Sequence, residues 1–181
     1  NNDYHVPDYY FVNQGDGTFK ESFKEAFKHS STNAMGADIC DINKDGWTDF
    51  FQVDMLNENP RRFMGMGGPK DIKFFTTALN NGYGYQYMKN CLQLNLGNGQ
   101  FSDVGHLAGI AKTDWSWSPL WADFNNDGET DLYVSNGYYR DVTNMDFMLY
   151  QDRELTQKNK KITQKEILDR LPFEKVKNYC Y

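Results

Sequence analysis

Short apolar and aromatic runs alternate along this chain with turns rich in Gly, Asn and Asp, and the whole alternation occurs twice. A shift of 82 residues lays Asn13, Gly15, Gly17, Phe19 and Ala26 on Asn95, Gly97, Gly99, Phe101 and Ala108. With no gap, the same shift lays Asp41, Asn43, Asp45, Gly46, Thr48 and Asp49 on Asp123, Asn125, Asp127, Gly128, Thr130 and Asp131. Self-similarity at a fixed period is the mark of a repeat architecture, so the chain reads as a tandem duplication. A third copy is expected to begin at 178–181, where Asn178, Tyr179, Cys180 and Tyr181 match 90–93 and 8–11. The chain, opening at Asn1, is therefore expected to be a piece of a longer array.

Each copy carries the same local signals. An apolar run at 9–13 or 91–95 leads into Gly15-Asp16-Gly17 or Gly97-Asn98-Gly99, and a second run follows around Phe19 or Phe101. Gly and Asn supply the positive φ that a hairpin turn needs, so strand, turn, strand is predicted. A third strand enters an acidic loop and a fourth leaves it at 49–53 or 131–135. Four short antiparallel strands per copy predict a propeller blade. The expected fold is all-β with helical insertions, a partial β-propeller of four-stranded antiparallel blades, with copies at 8–55 and 90–137. Two insertions interrupt it. The first, 57–89, holds Pro60-Arg61-Arg62, a flexible Met64-Gly65-Met66-Gly67-Gly68 stretch and a helix expected over 71–79. The second, 138–177, is read as mostly helical: Thr163 and Glu166 form a capping box, Ile167, Leu168 and Leu171 an apolar stripe, and Pro172 a stop. Long loops on a rigid sheet are where function tends to be carried.

The acidic loops 41–49 and 123–131 both read D-x-N-x-D-G-x-x-D. Oxygens at positions 1, 3, 5 and 9 can converge on one point if the chain curls, and glycine at position 6 permits the curl. Crowded carboxylates would repel when empty, and a hard dication resolves that conflict. Calcium suits such a loop better than magnesium because it accepts six to eight oxygens in loose geometry. The expected ligands are Asp41, Asn43, Asp45, Asp49 and the carbonyl of Trp47 in one loop, and Asp123, Asn125, Asp127, Asp131 and the carbonyl of Glu129 in the other. Asp, Asn and Gly are also plain turn formers, but that reading weakens when two loops keep identical register. An EF-hand is excluded, because its bidentate Glu at position 12 is replaced here by Gln52 and Val134.

Net charge then sharpens the picture. At −6 the chain is a poor nucleic-acid partner, whereas two bound dications would leave it near −2. No apolar run approaches the roughly 18 residues of a membrane span. Cys40, Cys91 and Cys180 lack C-x-x-C spacing and are expected to be buried free thiols rather than zinc ligands or a redox pair. His5, His29 and His106 stand in no paired catalytic motif, and Asp38 and Asp114 read equally well as turn residues. Trp115, Trp117 and Trp121 are candidates for a sugar platform, with packing between blades the competing role. Arg61, Arg62 and Arg140 are candidates for gripping a carboxylated ligand, with a solvated edge the competing role.

The acidic loop followed by an apolar strand, alternating with an N-x-G-[DN]-G-x-F hairpin, resembles the FG-GAP/VCBS repeat of integrin-α-type propellers. The runs 113–124 (TDWSWSPLWADF) and 135–147 (SNGYYRDVTNMDF) resemble, more narrowly, the large VCBS-repeat proteins of Bacteroidetes related to the cartilage acidic protein group, which often end in an ASPIC/UnbV domain. The resemblance implies a multi-bladed propeller in a secreted or outer-membrane-associated protein, with calcium as a structural ion. The function expected is a non-catalytic binding or scaffold module for a protein or glycan, with the insertions facing the partner. The alternative is the propeller part of a secreted carbohydrate-active enzyme such as a polysaccharide lyase.

Overall fold

A computed structural model describes residues 1–3, 6–66, 72–157 and 163–181. The chain opens with an antiparallel hairpin, β1 (Phe11–Asn13) and β2 (Phe19–Glu21), followed by a single turn α1 (Phe23–Ala26) and a short β3 (Ser30–Ser31). In the hairpin turn Asn13 Oδ1 accepts the N–H of Gly15 (2.9 Å) and Asp16 Oδ1 that of Thr18 (2.9 Å). Strands β4 (Gly36–Cys40) and β5 (Asp49–Val53) flank the first acidic loop. The first insertion then supplies α2 (Pro60–Gly65), α3 (Ile72–Asn80) and β6 (Gln86–Tyr87). The second copy follows as β7 (Cys91–Asn95), β8 (Phe101–Asp103), β9 (Ser116–Ala122) and β10 (Asp131–Asn136). The second insertion gives α4 (Met145–Gln157) and α5 (Gln164–Arg170), and β11 (Tyr179–Cys180) closes the described chain.

The strands gather into small sheets, mostly antiparallel, in an arrangement consistent with repeated units, and no closed propeller forms among the described residues. The grouping differs from four consecutive strands per copy. The four-stranded sheet runs β4-β5-β7-β8, two strands from each copy, and a three-stranded sheet runs β9-β10-β11. The hairpin β1-β2 stands as its own two-stranded sheet. The reason is apolar burial: Cys91 and Leu92 on β7 are buried, and their pairing across the insertion with Gln52 and Phe51 covers the β5 edge.

The pairing repeats one copy later in the same register. Gln52 faces Cys91 and Phe51 faces Leu92 in the first sheet, and the corresponding Val134 and Tyr133 face Tyr179 and Cys180 in the second. Side-chain pins repeat too: Asp54 N–H donates to Asn90 Oδ1 (2.8 Å), and Asn136 N–H to Asn178 Oδ1 (2.8 Å). The segment at 178–181 thus occupies the place that 90–93 occupies one copy earlier.

The core joins the two sheets through Phe51, Val53, Leu92, Ile110, Leu132 and Val134, with Trp121 packed edge-on against Phe51. Strand β4 lies against β9, where Trp121 N–H donates to Asp38 Oδ2 (2.9 Å). Asp38, a turn candidate in the sequence, is thus an inter-sheet tie. A short parallel pairing of β3 with β6 returns the first insertion to the first copy.

Both insertions carry capped helices, the second as its sequence indicates; in the first, Met64 and Gly65, read as a flexible stretch, belong to α2. Asn59 accepts from Arg61 N–H (2.9 Å) at the start of α2, with Pro60 in the first turn. Thr163 and Glu166 complete both halves of a capping box on α5, and buried Leu171 ends that helix before Pro172. The helix expected from 71 runs from Ile72 to Asn80. Asp71, Gly67, Gly68 and His5 lie outside the described residues. Among the described residues no helix is long and apolar enough to cross a membrane. The three thiols are free, but only Cys91 is buried: Cys40 is half-buried, and Cys180 is exposed because β11 is an edge strand.

The closeness of β4 to β9 depends on Gly36. A Cβ there would lie 2.4 Å from the Trp117 carbonyl oxygen, a backbone atom that cannot step aside. Gly36→Ala should therefore destabilise the chain by about 1–3 kcal/mol, read by urea denaturation. Gly65→Ala, at the end of α2 with 3.7 Å of clearance, serves as the control and should be neutral or slightly stabilising. Equal stabilities for the two variants would refute the tight backbone contact.

Candidate functional site: two acidic loops

Each loop curls because its backbone enters the left-handed region twice. In the first, Lys44 has φ 58° and Gly46 φ 88°; in the second, Asn126 has φ 59° and Gly128 φ 86°. Glycine bears that conformation without penalty, and Asn tolerates it better than most residues.

The curl turns backbone N–H groups inward onto side-chain oxygens. Asp41 Oδ1 accepts from Asp45 N–H (3.0 Å) and Oδ2 from Gly46 N–H (2.8 Å). Asn43 Oδ1 accepts from the same Asp45 N–H (3.2 Å), and Asp45 Oδ1 from Trp47 N–H (2.8 Å). Asn43 Nδ2 donates to Asp45 Oδ2 (2.8 Å). The second loop repeats this set with Asp123, Asn125, Asp127, Gly128 and Glu129, at 2.8–3.1 Å. In both loops the position-nine carboxylate accepts the N–H of position two: Asp49 from Ile42 (3.0 Å) and Asp131 from Phe124 (2.9 Å). The Glu129 N–H, then Asn125, with Lys44 adding its charge, hold the Asp127 carboxyl below the usual range.

The two loops touch. Lys44 Nζ reaches from the first to Glu129 Oε2 (2.7 Å) and the Gly128 carbonyl (3.1 Å) of the second. Position seven has a further role that the sequence did not disclose. The Trp47 indole lies over Gly97, where a Cβ would sit 2.8 Å from Nε1. Asp49 likewise does more than close its loop, since its second oxygen accepts Asn95 N–H on β7 (2.8 Å) while Asn95 Nδ2 donates to Thr48 O (3.2 Å).

Chemically, each loop offers three carboxylates, an amide oxygen and a position-seven carbonyl, a hard all-oxygen set suited to calcium. The inward N–H groups engage the same oxygens, each of which keeps lone pairs for a cation. Among the described residues, the group whose ligand atoms all lie within 4.8 Å of one another is His29, Cys91 and Asp103, not either loop. A cation would thus have to draw the loop carboxylates closer. The His29 group is built differently. His29 Nε2 lies 2.7 Å from Asp103 Oδ2, and Lys89 pairs with that same oxygen. Burial works to raise the Asp103 pKa, but the hydrogen bonds from His29 and Lys89 outweigh it and hold the carboxyl well below the usual range. Lys89 thus already supplies the positive charge there.

The remaining candidates separate sharply. Arg61 is exposed. Arg62 is not a ligand grip: its side chain is 4% exposed, and it binds Asp114 (2.9 Å), Asp141 (2.7 Å) and Glu174 (3.1 Å). Its guanidinium also lies over the Tyr138 ring, 5.7 Å from the centroid. Desolvation opposes its charge, but Asp141 and Asp114 more than offset that and raise its pKa. Burial pushes the Tyr138 hydroxyl up to about 12. Asp114, with φ 73°, belongs to this cluster and not to a simple turn. Trp115 packs edge-on against Tyr138 at 4.4 Å, whereas Trp117 is 45% exposed and donates its Nε1–H to Gly137 O (2.6 Å). Trp121 is a core residue. Arg140 lies over both Tyr139 and Phe173, at 5.3 Å from each centroid. His106 is exposed in a turn. Among the described residues these candidates stand in different settings: Trp115 and Trp117 lie 6.4 Å apart, Arg62 is enclosed beside Tyr138, Arg61 is exposed, and Arg140 lies against Tyr139 and Phe173.

Sequence reasoning missed the Arg62 cluster because its members are spread from 62 to 174. It also missed a second buried hub at Asp54, which accepts from Ser31 Oγ and from the N–H groups of Thr32 (3.1 Å) and Asn33 (3.1 Å). Burial raises the Asp54 pKa despite these donors.

Comparison with known proteins agrees with the repeat. Residues 77–134 match the family model described as an FG-GAP-like repeat, a span that holds β7 to β9 and the second acidic loop. No curated protein and no solved structure matches the chain.

Two outcomes test these assignments. Arg62→Ala should cost about 3–5 kcal/mol, because it strands buried carboxylates, while Arg61→Ala should shift stability by less than about 0.5 kcal/mol. Denaturant midpoints that match for the two would remove the clamp. Asp103→Asn should cost about 3 kcal/mol at neutral pH. Because the folded Asp103 pKa is depressed, its contribution is full above the unfolded value of about 3.9 and fades as pH falls through the folded one. The gap between wild type and variant should accordingly narrow below about pH 4. A gap independent of pH would contradict the charge pairing.

Proposed function

We propose that each acidic loop holds one Ca2+, and that the chain is a calcium-stiffened, non-catalytic propeller-type module that binds a protein or glycan outside the cytoplasm. The observation that carries this reading is the repetition of one oxygen-lined curl, bond for bond, at the joined ends of two neighbouring sheets. Asp41, Asn43, Asp45, Asp49 and the Trp47 carbonyl would surround one ion, and Asp123, Asn125, Asp127, Asp131 and the Glu129 carbonyl the other. Bound calcium would neutralise carboxylates that otherwise stand side by side, and would stiffen the β4–β5 and β9–β10 connections together through Lys44 and Glu129.

The FG-GAP-like match supports an extracellular setting, since such repeats are typical of extracellular domains. The narrower likeness to the Bacteroidetes VCBS-repeat proteins points the same way. The partner-facing surface in this reading is made by the insertions. They present exposed Met64, Ile72, Tyr139 and Phe173, while Arg62 and its carboxylates hold them to the sheets.

Calcium with the affinity of extracellular modules, Kd about 10⁻⁴–10⁻³ M, would stabilise each site by about 0.4–1.4 kcal/mol at roughly 1 mM. Chelation should lower the melting temperature by a few degrees without unfolding the chain. Terbium, a calcium substitute, should luminesce on tryptophan excitation, through Trp47 in the first loop and Trp121 just before the second, and Asp45→Ala and Asp127→Ala should each remove part of the signal while the double variant removes it. A melting curve indifferent to chelator and calcium, together with no terbium signal, would overturn the proposal.

A further inference from the structure

Three asparagines stand directly before a glycine: Asn81, Asn98 and Asn136. Such a pair can react within itself, because glycine has no Cβ to keep its backbone nitrogen from the preceding side-chain carbonyl. The fold treats the three nitrogens differently. Gly82 N–H donates to the Leu79 carbonyl (2.9 Å), and Gly137 N–H donates to that of Trp115 (2.9 Å). Gly99 N–H has no hydrogen-bond partner among the described residues, and a Cβ at Gly99 would meet nothing within 4 Å.

The turn between β7 and β8 adds to that freedom. Asn98 Oδ1 accepts the Gln100 N–H (3.0 Å), which closes a small ring holding both the Asn98 side-chain carbonyl carbon and the Gly99 nitrogen. The same bond draws electrons from that carbon, and residues 98–100 are open to water and base. Asn136 is placed the opposite way, with its side-chain Nδ2 donating to the Lys177 carbonyl (3.1 Å). The aspartates that precede glycine are protected as well. Gly46 and Gly128 give their N–H groups to Asp41 (2.8 Å) and Asp123 (2.9 Å). Gly17 lacks such a bond, but the Thr18 hydroxyl holds the Asp16 carboxyl below the usual range, and an ionised carboxylate resists attack.

We propose that Asn98 is a self-modification site, at which the chain converts an amide into a carboxylate without an enzyme. The Gly99 nitrogen gives its proton to base and attacks Cγ of Asn98. A C–N bond forms, the Cγ–Nδ2 bond breaks, and the side-chain nitrogen leaves as ammonia, taking up a proton. Water then opens the resulting succinimide ring at either carbonyl. The net change is amide plus water to carboxylate plus ammonium. Opening at one carbonyl leaves an aspartate at position 98, and opening at the other an isoaspartate, whose main chain runs through the side-chain carbon. The first hairpin indicates which product the fold accepts: Asp16, the counterpart of Asn98, makes the matching bond to Thr18 N–H (2.9 Å). An aspartate therefore preserves the turn, whereas an isoaspartate lengthens it and shifts Gly97 beneath Trp47. The proposal rests on which glycine N–H groups are bonded and not on the calcium reading.

Peptide mapping by mass spectrometry, on the folded chain aged in mildly alkaline buffer, is the test. The peptide holding Asn98 should convert about fivefold or more faster than those holding Asn81 and Asn136, since each of these must first release a backbone hydrogen bond. In denaturant, where all three glycine nitrogens are free, the rates should draw level. Asn98→Gln, whose longer side chain cannot close the same ring, should stop conversion in that peptide. Aged wild-type chain should also accept methyl groups from an isoaspartyl methyltransferase, which marks passage through the succinimide. Conversion at Asn98 no faster than at Asn81 and Asn136 in the folded chain would overturn the proposal. So would a rate ratio that denaturant leaves unchanged, continued conversion of that peptide in Asn98→Gln, or a product free of isoaspartate.

Discussion

One buried carboxylate sets the geometry on which the rest depends. Asp49 is almost wholly enclosed, and both of its oxygens are taken by backbone N–H groups: Ile42 within its own loop, Asn95 in the next copy. A buried acid left short of donors would be costly. Satisfying Asp49 therefore demands two things together, a curled loop and a β7 strand laid in fixed register beside β5. That requirement acts together with the apolar cover of the β5 edge by Cys91 and Leu92 to fix the four-stranded sheet, and it seats Gly97 under Trp47. Loop shape and sheet order are consequences of the same atoms.

A second constraint organises the insertions. Arg62 comes from the first, Asp141 and Glu174 from the second, and Asp114 from the entry to β9. Desolvating a guanidinium costs several kcal/mol, which only a full set of acceptors offsets. The insertions are therefore not loose appendages: each completes the other's charge balance, with Tyr138 and Trp115 as the apolar wall. Any partner that engages them meets a surface already fixed by this internal clamp.

What could be read in the sequence was whatever repeats or is local. The 82-residue shift located both acidic loops and both hairpin turns, because identical residues in identical register make the same local bonds. The capping box at Thr163 and the Asn59 start of α2 depend on a few neighbouring residues, and Thr163 with Glu166 was legible for that reason. The sheet grouping was not. Strands of one copy look like a unit, but pairing is decided by which edge an apolar run can cover, and β5 is covered by a run 40 residues on in the next copy. Arg62 escaped for a similar reason, since nothing in a Pro-Arg-Arg run says which arginine will be swallowed. Trp47 and Asp49 were assigned to a cation alone, and their contacts with β7 became visible only once the two copies were laid side by side.

The thiol of Cys91 has a consequence of another kind. It is fully enclosed between β5 and β8, and burial, only partly countered by the Lys89 charge, keeps it protonated. Cys180, on the open edge of the other sheet, shares the residue type but none of the shielding. The chain thus carries two clocks. An alkylating reagent reacts with the exposed Cys180 at the chemical rate of an accessible thiol, but with Cys91 only while the central sheet is open, so the slowing of Cys91 relative to Cys180 measures how often the joined copies come apart.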